Sequence, residues 1–372
     1  MSIESLNEKQ ALKACIDDTI AFKNMYMQIH SLPEVGLLLN GFMTEIGMFT
    51  IESYDVITRI NPEMKQLFDN DAIDKLRLSR HRAKLFDSKK DFNEVLSILK
   101  TIDENEIKRY KELNSNNIGS ILPFLIDDMG ITQFNGRFIT TTHSTIYDFG
   151  PNFKLDEKYA FELGQSIGVY LQTVINKFDV NEDIELTKYK SNIRQYETKD
   201  IKSKKLYSSI NFQNSNKNFA PALSLLLVRL NYTRYITSQF FQEGSLCLLR
   251  LRFVNVYHTL SSLRKIQSLI MQNDPNSTEK NFFKSIFACN DVKWLLSQGQ
   301  LRNFLTHYFV DSKQLRKMPI NFTRVEAIEI LSGGIKCSDI DARLISTIDI
   351  VTNKIEGIFS LKADMSWLGR NK

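Results

Sequence analysis

Residues 301–308 read Leu301-Arg302-Asn303-Phe304-Leu305-Thr306-His307-Tyr308. At about 100° per residue, Leu301, Phe304, Leu305 and Tyr308 share one strip, the i, i+3, i+4, i+7 pattern of a helix buried along one side. Arg302, Asn303 and His307 then fall at roughly 100°, 200° and 240° from Leu301, away from that strip. The stretch predicts a short helix that packs by its apolar side and presents a cation, an amide and an imidazole on the other. A histidine serving as core filler would sit among the leucines, and His307 does not. Gly299, two residues before Leu301, marks the start of this helix.

Helical periodicity extends on both sides of the stretch. From Pro221 to Gln272 the pattern gives two long helices joined near Glu243-Gly244, followed by Glu279–Phe287 after the Asp274-Pro275-Asn276 break. Beyond the motif come Thr323–Leu331 and Ser338–Phe359, separated by Gly333-Gly334. This succession fits a helical bundle over residues 219–372. The N-terminal part also reads as helices: Glu4–His30, Val56–Leu67 broken at Pro62, Asp69–Phe86, Asp91–Leu113 and Asp156–Phe178. Arg77, Arg80, His81, Arg82 and Lys84 form a basic cluster there that reads as a solvated helix face. Between these helices, Ile131–Phe134 and Arg137–Thr140 flank Asn135-Gly136, a dipeptide suited to the positive φ angles of a tight hairpin turn. His143 follows and reads as an exposed strand or loop residue. Residues 181–218 are polar, with scattered apolar side chains, and read as a linker or exposed connection. The fold class expected is mainly α: a mostly helical N-terminal regulatory or sensing domain over 1–180 with a hairpin near 131–142, then the C-terminal bundle.

Composition narrows the chemistry. The chain has 372 residues, 42% hydrophobic and 24% charged, enough for two domains. Residues 219–372 hold 20 basic and 12 acidic side chains, a net of +8, which leaves −3 for the rest of a chain whose total is +5. The motif lies in the basic part, as binding to a polyanion requires. The longest apolar run, Phe219–Leu230, is interrupted by Arg229, so no membrane span is expected, and residues 2–10 lack a signal-peptide pattern. Cys15, Cys247, Cys289 and Cys337 are widely spaced without a CxxC pair, and read as reduced thiols of a cytoplasmic protein. No P-loop, Rossmann glycine pattern, HExxH or nucleophile elbow occurs, which argues against the common NTPase, dehydrogenase, zinc-protease and hydrolase classes.

The exposed side of residues 301–308 suits cleavage of a phosphodiester. Arg302 can hold a phosphate through a bidentate fork, His307 can move a proton near neutral pH, and Asn303 can orient either partner. Arg250, Arg252, Arg264 and Lys265 from the preceding helices, with Tyr308, Arg316 and Lys317, are the candidate RNA contacts, interleaved with Tyr232, Tyr235 and Tyr257. His258, within the same apolar stretch, reads as a packed histidine.

The RNxxxH pattern on a helix resembles the HEPN superfamily of all-helical ribonucleases, with Arg302, Asn303 and His307 at the motif positions and Tyr308 after them. The resemblance covers the C-terminal part and implies an endoribonuclease with no metal or other cofactor. In it the ribose 2′-hydroxyl attacks the adjacent phosphorus and leaves a 2′,3′-cyclic phosphate. It further implies a homodimer whose two motif helices face each other, and a toxin or antiviral-defence role restrained by an inhibitory antitoxin or regulatory partner. The alternative reading is a non-catalytic helical module that binds RNA or a protein through the same basic surface.

Overall fold

The computed structural model describes residues 3–85, 92–113, 127–149, 157–179 and 196–359. They are mainly helical, with one small antiparallel sheet, in agreement with the class expected from periodicity. α1 (Ile3–His30), α2 (Val35–Gly41) and α3 (Met43–Ile60) open the chain. A 3-10 turn over Pro62–Leu67 follows, because proline tolerates the first turn of a helix and not its interior. α4 (Asn70–Leu85) then lies back against α3, and α5 (Phe92–Leu113) leads towards the sheet.

β1 (Met129–Phe134) and β2 (Arg137–Thr141) form the expected hairpin, with Phe134 opposite Arg137. Asn135 and Gly136 take φ 51° and 74°, the paired left-handed conformations of a two-residue turn. α6 (Thr142–Phe149) begins directly at the end of β2, and this corrects the reading of His143. Its imidazole is buried, with Nε2 3.2 Å from Asp103 Oδ1 on α5, so it ties a helix to the end of the hairpin and is no exposed loop residue. α7 (Glu157–Lys177) packs on α1.

The third strand corrects the linker. β3 (Tyr196–Ile201) pairs antiparallel with β1, giving the order β2-β1-β3, and α8 (Ser203–Ser208) and a 3-10 turn over Asn214–Phe219 complete the connection. Residues 181–195 of the expected linker lie outside the described residues, but 196–218 are an integral part of the fold.

α9 (Ala220–Tyr232) runs into a π-helical turn (Thr233–Thr237) and α10 (Ser238–Phe240). α2 meets α9 so closely that a Cβ on Gly41 would collide with the Tyr232 ring at 2.0 Å, which explains a glycine there. α11 (Leu246–Asn273) starts with Ser245 as its cap, the serine hydroxyl accepting from the Leu248 N–H. α12 (Lys280–Phe287), α13 (Asn290–Ser297), α14 (Gly299–His307) and α15 (Ser312–Leu315) are short. α16 (Arg324–Leu331) opens with a capping box between Thr323 and Glu326, and α17 (Cys337–Ile358) closes the bundle against α11 and α9.

Two cores hold these elements, and each draws on both ends of the chain. One joins Val95 and Ile102 of α5 to Leu223 and Leu226 of α9, Leu263 of α11 and Ile348 of α17. The other joins Phe22 of α1, Phe49 of α3 and Leu171 of α7 to Ile236, Cys247 and Leu251. The N-terminal helices are therefore packed into the bundle, and no boundary at 181–218 separates two independent cores. Leu301, Phe304 and Leu305 belong to the first core and Tyr308 to the second, so α14 sits at their seam. The four cysteines form no disulfide, and no described helix is long and apolar enough to cross a membrane.

Candidate functional site

α14 divides as its periodicity predicts: Leu301, Phe304, Leu305 and Tyr308 are buried, Arg302 and His307 half-buried, Asn303 exposed. The helix packs on α11, α3 and α16. The helix stops at Tyr308, whose φ of 64° is left-handed and whose N–H donates to Phe304 O at 3.0 Å. This abrupt stop leaves His307 as the last helical residue, on the side facing α3.

There the imidazole meets a carboxylate. His307 Nδ1 lies 2.7 Å from Glu52 Oε2, and its side chain remains 42% exposed while that of Glu52 is 4% exposed. Arg80 of α4 donates from Nε to Glu52 Oε1 at 2.8 Å and from Nη2 to the same oxygen. Burial by itself would raise the Glu52 carboxyl. The hydrogen bond and charge of His307 and the guanidinium of Arg80 outweigh it, and bring the carboxyl down to about 2. Glu52 is therefore an anion near neutral pH and can only accept hydrogen bonds. It follows that Nδ1 carries the proton, and in the neutral imidazole Nε2 is left with its lone pair.

His307 and Asn303 line one groove of about 260 Å³, together with Gln300, Phe309, Asp311 and Gln314. Amides and a carboxylate beside phenyl rings suit the edges and faces of a nucleobase. Arg302 is placed differently from the expectation that all three motif side chains converge. Its guanidinium lies 5.3 Å from the centre of the Tyr257 ring on α11, and Nη1 donates to Asn303 Oδ1 at 3.1 Å. It reaches the groove through Asn303 rather than lining it.

The expected RNA contacts separate into two groups. Arg264, Arg316 and Lys317 are exposed, the latter two immediately after α15 and close in sequence to Asp311 and Gln314 of the groove. Arg250, Arg252, Lys265 and Tyr308 are buried, and this corrects their assignment to a polyanion surface. Arg250 donates to Asp18 Oδ2 of α1 at 2.6 Å, and Arg252 binds Glu243 at 2.6 Å and Asp341 at 2.6 Å. A guanidinium inside the protein needs such counter-charges: Asp18 and Asp341 come from helices far away in sequence, and Glu243 from the turn before α11. Tyr232 is likewise buried, its hydroxyl donating to Leu38 O at 2.6 Å. His258 is half-buried on α11.

Sequence reasoning missed Glu52 and set Arg80 on a solvated face. In the structure α3 is buried on every side from Met43 to Tyr54, so the carboxylates on it require partners, but nothing in the letters of that stretch announces this burial. Among the described residues, no group of three or more His, Cys, Asp and Glu side chains is arranged to hold a metal ion. No family model, curated protein or solved structure matches this chain.

Proposed function

We propose that the protein is an endoribonuclease in which His307 moves protons at the RNA backbone without a metal ion. One observation carries this reading: a half-exposed imidazole, held through Nδ1 by a buried anionic carboxylate, stands in the wall of a groove. The RNxxxH resemblance to HEPN ribonucleases supports it independently. In the forward step Nε2 takes the proton of a ribose 2′-hydroxyl and O2′ bonds to phosphorus. The P–O5′ bond breaks, giving a 2′,3′-cyclic phosphate and a 5′-oxygen that must be protonated by an acid. A second copy of the chain would supply that acid from its own motif helix, which makes a homodimer the working form. Arg302, bonded to Asn303, adds positive charge beside the groove, and Arg316 and Lys317 attract the polyanion. An RNA substrate implies a cytoplasmic site of action, and an unrestrained nuclease of this kind implies a toxin or defence effector held in check by an antitoxin or regulatory partner.

The test uses single-stranded RNA in the presence of EDTA. The intact protein should leave cyclic phosphate ends, His307→Ala should slow cleavage roughly 10²–10⁴-fold, and DNA, lacking the 2′-hydroxyl, should survive. Cleavage that persists undiminished in His307→Ala overturns the proposal. Salt-sensitive binding without cleavage would instead assign the chain to the alternative class, a helical binding module.

A further inference from the structure

The position of His307 is set from behind as well as from in front. Tyr308 is the only non-glycine residue of α11–α17 with a positive φ, at 64°. Side chains rarely adopt that conformation, and glycine is the usual residue there because it lacks the Cβ clash. A tyrosine persists in such a turn only where its surroundings hold it, and here the hold is specific. The Tyr308 hydroxyl donates to Asp18 Oδ2 at 2.8 Å and accepts from Arg250 Nη1 at 2.5 Å. The Arg250 guanidinium lies 4.2 Å from the ring centre, and its Nε donates to Leu305 O at 2.6 Å, an unpaired carbonyl of the last helical turn. Two residues further on, Asn7 of α1 exchanges two hydrogen bonds with the Val310 backbone, both at 3.1 Å.

We infer that Asp18, Arg250 and Tyr308 form a positioning clamp: by pinning the left-handed turn after the motif helix from α1, they fix the direction in which His307 meets Glu52. These are positioning residues, since none of them lines the groove. The inference rests on the reading of His307 as the proton-transfer group. It also gives the N-terminal helices a part in the reaction centre, with α1 holding the turn and α3 holding the imidazole.

The hydroxyl alone is removed by Tyr308→Phe, which keeps the ring, its contact with Arg250 and the backbone angle. Asp18→Asn makes the corresponding change from the α1 side. The chain has five histidines, so the His307 ring resonances can be assigned in a histidine-selective ¹⁵N spectrum by comparison with His307→Ala. In the intact protein that spectrum should show the Nδ1–H form. In either variant it should move towards a mixture of tautomers, while kcat for RNA cleavage falls about tenfold at unchanged KM and the pH–rate inflection shifts. A role confined to stability would lower the melting midpoint and leave ring shifts, kcat of the folded protein and the pH profile untouched. That outcome in the two variants overturns the clamp. If the intact protein does not cleave RNA, the nuclease reading falls by itself, and the spectrum still decides whether the clamp orients His307.

Discussion

Two glutamates of α3, seven residues and therefore two helical turns apart, meet opposite environments in the same interior. Glu52 is gripped by Arg80 and His307, and its carboxyl is brought down to about 2. Glu45 is equally buried, and burial pushes its carboxyl up to about 7. Its Oε1 accepts from Asn255 Nδ2 at 2.9 Å, which lowers it only in part, and Oε2 has no partner among the described residues. The contrast shows that burial of an acid does not by itself create a reactive centre. A neutral amide leaves the carboxyl near its protonated form, whereas two cationic partners make it an anion able to orient an imidazole. Only Glu52 touches a side chain with access to the groove.

The largest difference between the two should appear in catalysis. Glu52→Gln replaces an obligate acceptor with an amide that can also donate, so Nδ1 is no longer held protonated and the tautomer with its proton on Nε2 caps the base. RNA cleavage by this variant should fall roughly a hundredfold or more, with melting still cooperative. Glu45→Gln should keep its rate within about threefold, because nothing joins Glu45 to the groove. Initial rates on one RNA substrate decide between them. Equal losses in the two variants would mean that both act through the core, and the distinction drawn here would be wrong.

Stability should separate them next, with slopes of opposite sign. Glu52 titrates below the ordinary carboxylate value of 4.5, so on acidification the unfolded chain takes up the proton first. Its contribution is present above pH 4.5 and is lost as pH falls through about 2, amounting to about 3 kcal/mol. Glu45 titrates above that value, so as pH rises the unfolded chain releases the proton first. Stability that is complete below pH 4.5 drains away as pH climbs through about 7, by a similar or smaller amount, about 2–3 kcal/mol. Urea unfolding at pH 2, 5 and 8 checks both. Glu52→Gln should be weaker than the parent at pH 5 and nearly level with it at pH 2. Glu45→Gln should recover stability at pH 8, reduced by the cost of burying an amide donor. A pH 8 value no better than the parent's would show that Glu45 is already solvated or paired when ionised.

Sequence patterns carried much of the architecture and little of this contrast. Strong local signals survived: Asn135-Gly136 as a turn, Thr323–Leu331 as a helix set off by Gly333-Gly334, and the 301–308 stripe as a buried helix edge. Each rests on residues within a few positions of one another, where geometry is fixed by the chain itself. β3 was lost because Tyr-Glu-Thr-Lys-Asp-Ile has no apolar alternation and its partner strand lies more than sixty residues away. Arg250 looked like a phosphate ligand for a similar reason, since its counter-charge Asp18 is 232 residues distant. Glu45 and Glu52 are indistinguishable as letters on one apolar helix. What separates them is the arrival of α4 and α14 at one position and of an asparagine from α11 at the other.

Arg80 offers the finest adjustment of the comparison. It is the second grip on Glu52: its side chain is 22% exposed, and its charge and hydrogen bond lower the carboxyl less than those of His307 do. Arg80→Met keeps most of the aliphatic packing of α4 on α3 and removes the charge. Glu52 should then titrate higher while staying ionised at neutral pH, because His307 still donates to it. The loss in stability should be about 1 kcal/mol, as for a partly screened pair. It should shrink as pH falls through about 2, where Glu52 takes up its proton in the parent as well as in the variant. Cleavage should fall no more than severalfold, since the tautomer of His307 is set by the carboxylate and not by the guanidinium behind it. A hundredfold loss in Arg80→Met would reverse that order, making the guanidinium the group that keeps Glu52 anionic and casting His307 as the weaker partner.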